Sequence, residues 1–261
     1  MPDIAIIGGT GVLDPSLFAA SKRVVEITPY GPAIFFLGYV DEIQVAFLPR
    51  HGVLHGIPPH KVNYRANVWT LWRAGVRQIL ATAAVGGIDP GLGQGDLVVV
   101  DQCIDFTRGR PSTFADGMSS PVRHVDFTHP YCNRLRGLIL QACANTGAGA
   151  VSRGCYVCAE GPRFESPAEI EMFRKLGGSV VGMTGMPEAA LAKEAGLCYA
   201  TLCTVTNAAA GLGHARLSHE EVVRRMEGSR GRVLEVIRET VRLASRDGQA
   251  LSCSCREGAV L

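Results

Sequence analysis

The chain has 261 residues, 47% hydrophobic and 19% charged, enough for one large or two small folded domains and favouring a packed core over disorder. A net charge of +2 gives no basis for binding nucleic acid or an anionic membrane. No run reaches the roughly 18 apolar residues of a membrane span, and the first apolar run is too short for a signal peptide, so a cytoplasmic protein is expected.

Strand-like runs fall near 3–8, 34–37, 43–48, 78–83, 97–101, 154–158, 179–183 and 198–205. Helical patterns lie near 61–75, 133–146, 167–177, 187–196 and 218–245. Alternation of strand and helix after a strand-rich first third predicts an α/β fold with a largely buried sheet. Pro187 suits a first helical turn that Gly196 closes, and Ser218-x-x-Glu221 reads as a capping box. The last helix carries one apolar stripe at 222, 226, 233, 236, 237 and 241. Residues 107–123, rich in Gly, Pro and Ser, read as a long surface loop. With no repeat or linker, the expectation is a single domain over 1–245 and a polar tail over 246–261.

Three apolar runs each end in a glycine-containing turn: Ile4 to Gly11, Ile79 to Gly87 and Val180 to Gly185. Such turns aim backbone N–H groups and hydroxyls at one small anion. No Walker lysine follows them, so inorganic phosphate fits better than a nucleotide tail. A dinucleotide fingerprint fails because Asp14 holds its third glycine position, although Glu26 lies at the distance of a ribose contact.

His51, His55 and His60 lack a usual zinc spacing, and Pro58 and Pro59 break any helix between them, so no metal is expected there. They form either an exposed loop or, with Arg50, a cationic pair for the anion. Glu160-Gly-Pro-Arg-Phe164-Glu165 at a strand–helix junction offers a ring and a carboxylate to a planar ligand, or simply a core phenylalanine and a helix-start acid. Asn207 places an amide at a strand tip, as a ligand contact or a turn residue. Cys155-x-x-Cys158 has redox or zinc spacing but no partner pair, and reads as structural. Cys253-Ser-Cys255 in the tail is a labile disulfide or inert.

Five segments together carry a family likeness: Ile-Ile-Gly-Gly-Thr-Gly at 6–11, Arg-His-Gly at 50–52, Pro-Pro-His-Lys-Val-Asn-Tyr-Arg-Ala-Asn at 58–67, Glu-Gly-Pro-Arg-Phe at 160–164 and Gly-Met-Thr-Gly-Met-Pro-Glu at 182–188. From Ile4 to about Val241 the chain resembles the trimeric purine nucleoside phosphorylases, in the branch that includes methylthioadenosine phosphorylase. The resemblance implies a central mixed, partly barrel-like sheet flanked by helices, and phosphorolysis of a purine nucleoside. It implies a phosphate site of Thr10, Arg50, His51, Ala83, Ala84 and Thr184. Met183 would meet the ribose through its main chain, and Phe164 would stack on the base. Asn207, with Ala208 and Ala209 beside it, would contact the base together with Glu165. No cofactor or metal is implied, since phosphate is a co-substrate. A homotrimer or dimer of trimers is implied, with sites at subunit interfaces that His124 could reach from a neighbour. The Cys-x-Cys tail resembles that of archaeal members in which such pairs are disulfides.

The chain departs from the methylthioadenosine pattern, which has aspartates at the places of Asn207 and Ala209 and a small hydroxyl residue at that of Glu165. Asn207 can donate to O6 and accept from N7–H, and Glu165 accepts from N1–H, so both suit a 6-oxopurine such as hypoxanthine or guanine. His219 falls where a 5′-hydroxyl would be bound, or faces water; inosine and guanosine are the expected substrates, with 5′-methylthioinosine or 5′-methylthioadenosine as alternatives. Ala83 replaces a polar residue, which weakens phosphate binding by about 1 kcal/mol and leaves a hydrolytic nucleosidase open. A non-catalytic purine-binding protein is the remaining class.

Overall fold

The structure is a computed structural model that describes residues 1–9, 19–115, 122, 124–213 and 218–261. Ten strands form one mixed sheet: β1 (Ile4–Gly8), β2 (Ala19–Thr28), β3 (Gly31–Val40), β4 (Ile43–Pro49), β5 (Gln78–Gly87), β6 (Leu97–Val99), β7 (Gln102–Asp105), β8 (Cys155–Cys158), β9 (Val180–Gly182) and β10 (Cys198–Ala208). The order runs β2-β3-β4-β1-β5-β9-β8-β7, while β10 pairs with β5 and β6. β1 is parallel to β4 and β5, and β10 is parallel to β5, whereas β2-β3-β4 is an antiparallel meander. Among the described residues five α-helices flank the sheet: α1 (Tyr64–Arg73), α2 (Asn133–Asn145), α3 (Pro167–Lys175), α4 (Glu188–Glu194) and α5 (His219–Asp247).

Alternation along the buried strands divides the core between the two faces of the sheet. Ala5 and Ile7 of β1 pack with Val68 and Leu71 of α1 and with Leu191 of α4. Ile4 and Ile6 face the other way, toward Leu135 and Ile139 of α2 and Val233, Val236 and Ile237 of α5. The predicted stripe of α5 is buried from Met226 to Val241, and Val222 is half-buried. Ser218 Oγ accepts from Glu221 N at 3.2 Å, so the cap forms, and the Glu221 carboxylate pairs with Arg225.

Three expectations need correction. The Gly86-Gly87 turn is strand: β5 continues through it, pairing with Val181 and Val180 of β9. A Cβ on Gly86 would come within 3.4 Å of Val181, Ala209 and Asn207, so a small residue is needed for strand packing and not for a turn. The 107–123 segment is not simply a surface loop, because Phe114 is fully buried and Arg110 nearly so. The tail after α5 is not a free polar end: Cys255 is buried, and Val260 N donates to Glu194 O. Its Cys253 and Cys255 sulfurs lie 3.6 Å apart as free thiols, not as a disulfide.

Candidate active site

The register of the sheet creates the site. β1 pairs with β5 only through Ala81, and β9 takes the same side of β5 from Gly86 onward. Residues 82–85 therefore face a gap where one neighbour has left and the next has yet to join. A cavity of about 440 Å³ opens there, at the carboxyl ends of β1, β4 and β5, where open α/β sheets place their ligands. Its lining includes Arg50, His51, Ala83, Ala84, Phe164, Glu165, Met183, Thr184, Asn207 and Ala209.

One end is cationic. Arg50, which follows β4, is 2% exposed and forms a fork-to-fork pair with Glu188, Nε and Nη2 each donating at 2.7 Å. Nη1 donates to Thr82 O at 2.9 Å, so these bonds use three of the five guanidinium N–H donors. Burial works against the charge, but Glu188 outweighs it and holds the Arg50 pKa above its ordinary value. His51 Nδ1 lies 2.8 Å from Ile57 O, which directs the opposite ring edge away from that carbonyl, and its ring packs 4.7 Å from His55. Gly9 N donates to Thr82 Oγ1 at 3.1 Å, tying the end of β1 to β5. On the opposite wall, Thr184 N donates to the Tyr156 hydroxyl at 3.3 Å. A Cβ at Gly182 would collide with that hydroxyl, so the β9 turn closes over Tyr156 only with glycine there.

The other end combines an aromatic ring with two polar groups. Phe164 is half-buried beside Glu165, which is 9% exposed and has an Oε1 with no hydrogen-bond partner among the described residues. Burial pushes the Glu165 pKa above the usual carboxylate range. The α3 start below it is rigid: Ser166 and Glu169 form a reciprocal capping box, and Arg163 pairs with Glu169 at 2.7 Å. Asn207 sits just past an irregularity in β10, where Thr206 Oγ1 donates to its Oδ1 at 2.8 Å. Its Nδ2 donates to Ala208 O at 2.8 Å, which leaves its second N–H for another acceptor.

Not every expected site residue lies here. Ala208 is exposed and absent from the lining, because strand alternation turns it outward between Asn207 and Ala209. His124 is exposed and also outside the lining. Thr10 lies outside the described residues, as does the side chain of His219; Val222, three residues further along α5, lines the cavity. Three residues of the site escaped sequence reasoning. Glu188 enters the sequence reading as the end of the family segment 182–188 and the start of a helix, with no role assigned to it. Thr82 had a signal as the hydroxyl of the Ile79 to Gly87 run, whereas Arg110 has none. The Arg110 guanidinium donates to the carbonyls of Met183 at 2.9 Å, Met186 at 2.7 Å and Glu160 at 2.6 Å, bracing the wall of the cavity.

A split sheet with a buried cation and a buried acid lining one mostly apolar cavity is an arrangement of small-molecule enzymes. Residues 3–242 match the phosphorylase superfamily, and the chain belongs to it, in the family of purine nucleoside and methylthioadenosine phosphorylases. A Pyrococcus furiosus protein named 6-oxopurine nucleoside phosphorylase is 48% identical, the match covering 98% of this chain and 97% of that one. A Methanothermobacter thermautotrophicus protein named probable S-methyl-5′-thioinosine phosphorylase is 45% identical over 97% of this chain and 87% of that one. Among solved structures, a methylthioadenosine phosphorylase of Schistosoma mansoni in complex with adenine superposes with a TM-score of 0.93 at 32% identity, covering 100% of this chain and 98% of that one.

Proposed function

We propose that the protein catalyses reversible phosphorolysis of 6-oxopurine nucleosides, converting inosine or guanosine and phosphate to the free base and ribose 1-phosphate. The observation that carries this reading is the buried, unpartnered Oε1 of Glu165 in the cavity that also holds Phe164 and Asn207. A carboxylate there accepts from the N1–H of a lactam base but meets only a lone pair on adenine. Relatives named for 6-oxopurine substrates support the same base.

Phosphate binds at the Arg50 end, on the free N–H groups of Arg50, the backbone of Ala83 and Ala84, and the hydroxyls of Thr184 and Thr10. His51, whose Nδ1–H is taken by the Ile57 carbonyl, donates there from Nε2 in its imidazolium form, the one that suits a phosphate anion. The Met183 carbonyl is engaged by Arg110, so its N–H takes the ribose contact. Phe164 stacks on the base, Glu165 accepts from N1–H, and Asn207 donates to O6 and accepts from N7–H once N7 has taken a proton from solvent as the glycosidic bond breaks. As the C1′–N9 bond lengthens, negative charge flows into the purine, where the Asn207 donor stabilises it. The sugar becomes cationic and is stabilised by the phosphate oxygens that attack C1′. Rate enhancement comes from positioning and preset electrostatics, with no covalent enzyme nucleophile.

The 5′ end supports a second reading. Val222 brings an apolar wall to the cavity one helical turn beyond His219, which suits a methylthio group, and three relatives are named for methylthioinosine. A homotrimer in the cytoplasm completes the proposal; the exposed Val53, Leu54 and Ile57 on the loop beside His51 supply apolar surface for a neighbouring subunit. Assays with inosine, guanosine, 5′-methylthioinosine and 5′-methylthioadenosine, each with and without phosphate, test the reading. The expected result is phosphate-dependent cleavage with 6-oxopurines preferred. Base release without phosphate, or a preference for methylthioadenosine, would refute it.

A further inference from the structure

The tail cysteines do not stand alone. Cys132 at the N-cap of α2, Cys198 at the start of β10, and Cys253 and Cys255 of the tail bring their sulfurs within 4.8 Å of one another. Cys132 Sγ lies 3.7 Å from Cys253 Sγ, which lies 3.6 Å from Cys255 Sγ. Four thiolates around a zinc ion at about 2.3 Å form a tetrahedron with edges of about 3.8 Å. Disulfide bonding requires about 2.05 Å and would single out pairs. Here each sulfur is close to the others, and three of the four cysteines are buried.

The surroundings suit an anionic metal centre. Leu135 N, in the first turn of α2, donates to Cys132 Sγ at 3.5 Å, and the helix N-terminus adds its positive end. The Arg134 guanidinium lies against Cys198 and Cys132 and offsets the double negative charge of a zinc tetrathiolate. Asp247 at the end of α5 and Gln78 at the start of β5 hold that guanidinium in place. None of the four cysteines lines the nucleoside cavity.

We propose that Cys132, Cys198, Cys253 and Cys255 form a structural zinc site. Binding displaces four thiol protons and joins α2, β10 and the tail through one ion. The ion clamps the tail at the end of β10 remote from Asn207, so its effect falls on stability and not on the chemical step.

The test uses the full chain, expressed with zinc and purified anaerobically under reducing conditions. Metal analysis should find about one zinc per chain, and cobalt substitution should give the charge-transfer and d–d spectrum of a tetrathiolate. The C253S/C255S variant should lose the metal and melt about 5 °C or more below the parent, while the control C103S keeps its zinc. Wild-type protein that holds no zinc and takes up no cobalt would overturn the proposal, whether its thiols are free or its intact mass shows disulfides. A double variant that still holds one zinc per chain would overturn it as well.

Discussion

An ionised carboxylate buried without a donor destabilises the free protein, because its lost hydration is not replaced. Glu165 Oε1 is in that position, and the upward shift of its pKa has the same cause. The folded state thus keeps its proton to higher pH than the unfolded chain. The stability this gives is present below the unfolded pKa and lost as pH rises through the folded one. Base binding has the opposite need, since only the ionised form accepts N1–H. For inosine, kcat/KM should therefore fall on the acid side around a pKa above the ordinary glutamate value of about 4.3. Glu165→Gln should remove that limb, lower inosine kcat/KM about 10- to 100-fold, and raise the melting temperature of the ligand-free protein. Inosine kinetics across pH, with thermal melts, check it; a glutamine variant with unchanged kinetics would remove Glu165 from the base site.

At the scale of elements, α4 is joined to the sheet by its first residue. Glu188 is fully buried, receives both forks of Arg50, and accepts from the Tyr199 hydroxyl at 2.8 Å. Removing one member of a buried ion pair leaves the other charge stranded, at a cost of about 3–5 kcal/mol. Glu188→Gln should therefore melt well below the parent, and phosphate should raise its melting temperature more than that of the parent, by supplying Arg50 with a new counter-ion. A variant as stable as the parent without phosphate would show that Arg50 does not depend on Glu188. Neither the pair nor several strands could be read from local pattern. β2 is hidden in the sequence because Lys22, Arg23 and Glu26 break its apolar alternation on an edge strand, with Ile27 76% exposed. β7 is hidden likewise, because Gln102–Asp105 is half-exposed and lacks an apolar run. The buried strands β1, β4, β5 and β10 were legible, since strands covered on both faces read as continuous apolar runs. Asn207 and Glu165 stood out because polar groups end such runs or flank a helix start, whereas their convergence depends on pairing between distant strands.

At the scale of the whole molecule, one side chain fastens segments that are remote in sequence. Arg110 lies in a stretch whose Gly, Pro and Ser content points to a loop, so nothing local marks it. In the fold it reaches the β8–α3 connection through the Ala159 and Glu160 carbonyls, the β9–α4 turn through those of Met183 and Met186, and α1 through the Tyr64 hydroxyl at 3.2 Å. The Tyr64 ring also lies 5.5 Å below the guanidinium carbon. Only a planar five-donor fork spans these acceptors together, and a lysine ammonium presents a single point of contact. Arg110→Lys should leave buried carbonyls unpaired and cost about 2–4 kcal/mol, lowering the melting temperature by several degrees. The braced segments carry Phe164, Met183 and Thr184, so their displacement should also reach the reaction. At a temperature where circular dichroism shows the variant folded, kcat/KM for inosine should fall at least about tenfold, because small misplacements of positioning groups are amplified in the transition state. A folded variant with parental kinetics would mean that the Met183–Thr184 turn keeps its geometry through the packing of Gly182 against Tyr156 alone.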